Sequence, residues 1–88
     1  MFRLEEKGNN EVVLHIELPQ GQTNYELINH MLEELNEFKN RFFGKKVKVN
    51  GRLTVPLALS LGHELAHVCQ EVHMFDPKLN EYIKVIWH

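Results

Sequence analysis

The chain is predicted to fold as a small α/β domain, a Rossmann-like mixed sheet with two helices in the order β-β-α-β-α-β-β. Three observations lead there. Five short runs rich in β-branched and aliphatic residues alternate with two longer stretches whose apolar residues recur at three- and four-residue steps. Each longer stretch lies between two strand-like runs, so each strand–helix–strand unit reads as a right-handed crossover between parallel strands. Eighty-eight residues, 43% apolar and 25% charged, suit one globular domain, residues 1–88. An antiparallel ferredoxin-like sheet is the competing arrangement.

Phe2 to Glu6 reads as a short strand, and Lys7-Gly-Asn-Asn10 supplies turn residues after it. Glu11 to Leu18 is a second strand, so the two form an N-terminal hairpin. After a turn at Pro19-Gln-Gly-Gln22, Thr23 and Glu26 have capping-box spacing. The helix they start runs to about Phe42, with Ile28, Met31, Leu32, Leu35, Phe38 and Phe42 on one stripe and Gly44 past its end. Lys46 to Val49 is the third strand. Thr54 can cap the second helix, with Pro56 in its first turn, and that helix ends near Cys69. Glu71 to Asp76, stopped by Pro77, is the fourth strand, and Tyr82 to Trp87 the fifth, paired antiparallel with it.

Composition narrows the function. A formal charge of −2 means that any anionic ligand needs a local patch or a metal. Cys69 is alone, so no intrachain disulfide forms. No apolar run reaches membrane-spanning length, and Met1 to Glu6 lacks the pattern of a secretion signal, so a cytoplasmic chain, complete at its N-terminus, is expected.

The second helix carries the most chemistry. Leu57, Ala58, Leu61, Leu65, Val68 and Cys69 fall on one side, while Pro56, Leu59, Ser60, His63, His67 and Gln70 fall on the other. Both histidines therefore project outward from adjacent turns. His63-Glu64-Leu-Ala-His67 also spells the zinc-peptidase signature, in which two imidazoles hold Zn²⁺ and the glutamate acts on its water. His73 even stands ten positions after His63, but Gln70 occupies the place where metzincins need glycine. His15 and His30 have no partner at motif spacing and read as structural or exposed. Trp87 and Tyr82 read as sheet packing before base stacking.

The stretch Asn50-Gly-Arg52, Pro56, Leu61-Gly-His63, Leu-Ala-His67, Phe75-Asp-Pro-Lys-Leu79, Tyr82 to Ile86 and His88 resembles the small Csx-type ring nucleases of type III CRISPR systems. The resemblance covers roughly the C-terminal half and implies a CARF-related form of the Rossmann-like fold. It implies a manganese-dependent enzyme that degrades cyclic tetra-adenylate, trims 3′ adenylates of RNA and so serves antiviral defence. By matched position it implies His67 as catalytic histidine and Asp76 as essential aspartate, with His63 and His88 as the other histidines. His63, His67, His88 and Asp76 form the expected metal set. Asn50, Gly51, Arg52, Thr54 and Lys78 form the expected ligand set. Many members read G-R-G-P where this chain has Gly51-Arg-Leu-Thr-Val-Pro56.

Ligands of open α/β sheets bind at the carboxyl ends of the strands. Asn50-Gly-Arg52 and Asp76 are expected on that rim, beside a helix N-terminus that favours phosphate. The second helix spans roughly 20 Å, which puts His63 and His67 toward the opposite pole with His88. A homodimer is expected, with dimers meeting head to tail around the ligand as a dimer of dimers or a filament. The alternatives are a zinc metallopeptidase and a catalytically silent cyclic-nucleotide or RNA-binding module.

Overall fold

The computed structural model describes residues 1–87, apart from the Trp87 side chain. His88, expected as a metal ligand, and the stacking surface of Trp87 lie outside what is described. The elements are β1 (Phe2–Lys7), β2 (Glu11–Ile16), α1 (Asn24–Phe42), β3 (Lys46–Asn50), α2 (Val55–Val68), β4 (Glu71–Asp76) and β5 (Glu81–Trp87). They form one five-stranded sheet in the spatial order β1-β2-β3-β4-β5. The inner pairs β2/β3 and β3/β4 are parallel, and the outer pairs β1/β2 and β4/β5 are antiparallel. The mixed α/β sheet is therefore as predicted, and the ferredoxin-like arrangement is excluded.

Local chemistry accounts for the boundaries. Thr23 accepts from the Glu26 backbone N–H at 3.2 Å, and the Glu26 carboxylate accepts from the Thr23 N–H at 2.9 Å, a complete capping box. Such a cap is worth about 1 kcal/mol. Gly44, at φ +71°, turns the chain out of α1. Thr54 caps α2 by accepting from the Leu57 N–H, with Pro56 in the first turn.

Strand order never reverses, so both right-handed crossovers step the same way and both helices lie on one face. A doubly wound sheet covers both faces and binds ligands where its order reverses. No such switch point exists in this sheet. The core lies between sheet and helices. Val12, Leu14, Ile16, Val47, Val49 and Val72 meet Leu27, Met31, Leu35 and Phe42 of α1 and Leu57, Leu61 and Leu65 of α2. Each such side chain stabilises the fold by about 1.5–3 kcal/mol. Leu27 takes the central position on α1, while Ile28, Leu32 and Phe38 flank it half-buried.

The other sheet face carries no helix. Strand alternation places on it successive cross-strand rows. Arg3, His15 and Asn50 form the row at the carboxyl ends of β2 and β3. Glu5, Val13, Lys48, His73 and Lys84 form the next, and Lys7, Glu11, Lys46 and Glu71 the third. Opposite charges interleave: Lys48 meets Glu11 at 3.5 Å, Lys84 meets Glu71 at 3.2 Å, and Lys46 lies 3.8 and 4.0 Å from Glu11 and Glu71. Phe75 and Tyr82 pack edge to face, with the Lys48 ammonium 5.2 Å from the Tyr82 ring. A face so charged remains solvated without a covering layer.

Candidate functional site

At the end of α2 the structure brings His63 and His67 together. Their Nε2 atoms are 3.2 Å apart and their rings meet edge to face. Both are exposed, His63 with 71% of its side chain in solvent. The apolar side of the helix is tied down by Leu57, Leu61 and Leu65, which fixes the outward direction of the histidines. Spanning 3.2 Å with two metal–nitrogen bonds of roughly 2.1 Å makes an angle of about 100°, so the pair fits as two ligands of one cation. Glu64 points toward α1, 3.7 Å from Lys39 Nζ and 4.0 Å from His63.

The rim at the carboxyl ends of β2 and β3 is a separate place. Gly51, at φ +139°, follows β3 so closely beside β2 that a Cβ on it would stand 2.3 Å from the Ile16 carbonyl oxygen. Only glycine fits there. Arg52 is exposed next to it. Thr54, expected in the ligand set, donates its hydroxyl proton to Asn24 Oδ1 at 2.7 Å while capping α2, so its side chain is engaged in the scaffold. Asp76 ends β4, where its Oδ1 accepts from the Lys78 backbone N–H at 2.9 Å and shapes the turn to β5. The Lys78 side chain is exposed in that turn.

Asp76 does not meet His63 and His67 within one subunit. α2 ends two residues before β4 begins, and β4 carries the chain about 17 Å away before reaching Asp76. His67 instead borders a shallow depression with Phe43, Gly44 and Gln70, at the pole opposite the rim. His73, offered by spacing as a third zinc ligand, lies on the open sheet face and bonds Glu71 at 2.8 Å. Among the described residues, no three of His, Cys, Asp and Glu converge on a point suited to a metal. Cys69 is buried, and desolvation pushes its thiol up to about 12, so it stays protonated and inert near neutral pH.

One histidine read as structural or exposed belongs to the rim. His15 is half-buried, its Nε2 2.9 Å from Glu5 Oε1 and its Nδ1 3.5 Å from Asn50 Nδ2. Its signal is strand register, which linear spacing does not display: Arg3 pairs with His15, and His15 with Asn50. No protein-family model matches the chain, and no curated protein matches it significantly. The likeness to ring nucleases therefore rests on the residues quoted for it.

Proposed function

We propose that the protein is a manganese-dependent phosphodiesterase that degrades cyclic tetra-adenylate, with 3′ adenylates of RNA as a related substrate, in type III CRISPR antiviral defence. The observation that supports this best is the pair of exposed imidazoles, 3.2 Å apart, on the pole opposite an exposed arginine and a glycine turn. A ligand held at the Asn50-Gly51-Arg52 rim of one subunit comes within reach of His63 and His67 only when a second subunit brings its pole to that rim. Head-to-tail dimers of dimers or filaments satisfy this, and Asp76, on the binding rim, then completes the set from the facing subunit. A bound cation would neutralise charge on the scissile phosphate. His67 moves a proton or ligates, His63 shares its cation, and Arg52 orients the phosphodiester.

The peptidase alternative draws less support. Glu64, which that chemistry needs beside the metal-bound water, is turned toward Lys39, and His73 is on another face.

The test is conversion of cyclic tetra-adenylate to linear products with manganese, followed by size-exclusion analysis with and without the ligand. Wild-type protein should cleave and assemble. His67→Ala should bind without cleaving, and Arg52→Ala should bind more weakly. Full activity from an isolated monomer, or equal loss of binding and cleavage in both variants, would overturn the two-pole scheme. Absence of conversion overturns the nuclease reading, leaving a silent binder if the ligand is still held. Activity on a casein-type substrate with zinc, lost in Glu64→Gln, would establish the peptidase instead.

A further inference from the structure

At the end of the sheet where β1 starts and β2 finishes, an open cavity of about 650 Å³ runs from the helix-free face, which carries Arg3, His15 and Asn50, round to Phe2, Ile16 and His30 of α1. That volume is several times what a bare phosphate fills and falls in the range of small-molecule sites. One wall is apolar, built from Phe2, Ile16, Leu18 and Pro19. The other is polar, built from Arg3, His15 and Asn50, the three residues that share a cross-strand row, with Glu17 also lining the space. We propose that this cavity binds a nucleoside monophosphate, or one such unit of an oligonucleotide, with its phosphate at Arg3, His15 and Asn50.

Each wall has a chemical role. Arg3 is exposed and makes no ion pair with the described residues, so its guanidinium is available for a phosphate. Glu5 accepts at His15 Nε2, fixing the ring so that Nδ1 turns to Asn50. So held, the ring sets its Nδ1 edge and the Asn50 amide side by side, where a phosphate oxygen can accept a hydrogen bond. Lys7 lies 3.2 Å from Glu5 and offsets its charge. Glu34 of α1 is paired with the N-terminal amino group at 3.4 Å and lies 3.2 Å from His30, so its charge is offset. Glu17 is a fitting acceptor for ribose hydroxyls. The apolar wall suits a base.

The site uses none of the histidines of α2 and needs no metal and no second subunit. It borders the ring-nuclease reading only through Asn50 and Gly51 and stands without it. The test is an NMR titration of the full chain with 5′-AMP, adenosine and inorganic phosphate, following the Arg3 Nε–H and the ring nitrogens of all histidines. 5′-AMP should shift Arg3 and His15 saturably and leave His63 and His67 unmoved. Adenosine should bind about tenfold more weakly, as should 5′-AMP to Arg3→Gln and to His15→Gln, since each change removes a charge-assisted hydrogen bond. His67→Ala should bind as wild type. Equal affinity for adenosine and 5′-AMP, shifts confined to Arg52 or α2, or undiminished binding by a folded Arg3→Gln would overturn the proposal. Those results bear on this cavity, while failure of cyclic tetra-adenylate cleavage bears on the two-pole scheme and leaves the 5′-AMP result standing.

Discussion

His63 and His67 on α2, and His15 on β2, place imidazoles in opposite settings. The first two lie in solvent and, among the described residues, have only each other at hydrogen-bond distance. His15 is half-buried and held at both nitrogens by Glu5 and Asn50. An imidazole pair in water is open to whatever a docked partner brings to it. An imidazole gripped on both sides has a fixed direction and is part of the scaffold as well. Function at the first should thus separate cleanly from stability, and at the second it should not.

The largest expected effect tests the first half of that contrast. His67→Ala and His63→Ala should each reduce cleavage by about a hundredfold or more, as expected when a proton-transfer group or ligand is lost. Their urea midpoints should stay within about 0.5 kcal/mol of wild type, as for other exposed substitutions. Cleavage assays run beside denaturant titrations check both. A large stability loss in either variant would mean that α2's outer face is less independent of the core than its exposure implies.

The rim should respond in the opposite way. Gly51→Ala forces a Cβ against the Ile16 carbonyl at a φ that other residues avoid, and should destabilise by about 3 kcal/mol. Gly8 also has positive φ, at +68°, but open space around it, so Gly8→Ala should lose only about 1 kcal/mol. Equal costs at the two positions would show that backbone strain alone governs, and that the close approach of β2 and β3 is relieved by a small shift.

The contrast also explains what could be read from the chain. Both helices were legible because their evidence is contiguous: Thr23 with Glu26, Thr54 with Pro56, and apolar stripes at helical steps. The outward direction of His63 and His67 followed from the same stripe, since Leu57, Leu61 and Leu65 must face the core. The role of His15 was not legible. Glu5, His15 and Asn50 are 10 and 35 residues apart, and only strand pairing brings them together. The one-sided placement of the helices was likewise hidden, because it depends on the direction of the second crossover, which no local pattern encodes. Thr54 shows the converse: a residue matched to a ligand set by position is already bound to Asn24 and to its own helix.

A direct comparison of the two histidine settings gives a smaller effect. His15→Ala should lose about 1 kcal/mol through its hydrogen bond to Glu5, whereas His63→Ala should lose close to nothing. Matched urea curves at one pH measure the difference. If His15→Ala proves neutral, Glu5 and Asn50 must find water as readily as they found the ring, and His15 is then held for binding alone.

The smallest effect comes from acid. Four glutamates are held below the ordinary carboxylate range: Glu5 by its hydrogen bond from His15 and then by Lys7, Glu6 by Arg41, Glu26 by its bond from the Thr23 backbone N–H, and Glu71 by its bonds from His73 and Lys84. Each folded value lies below the unfolded one of about 4.3, so the folded state binds fewer protons over that interval. The stabilisation is fully present above the unfolded value and is lost as pH falls through the depressed folded values. These carboxylates reach solvent, so the slope should be shallow and should flatten further in high salt. Glu5→Gln should remove part of that acid slope while leaving the helix-pole chemistry at neutral pH unchanged. An acid slope unaltered by Glu5→Gln would place the stabilising carboxylates at Glu6, Glu26 and Glu71 and would loosen the claim that Glu5 holds His15 in position.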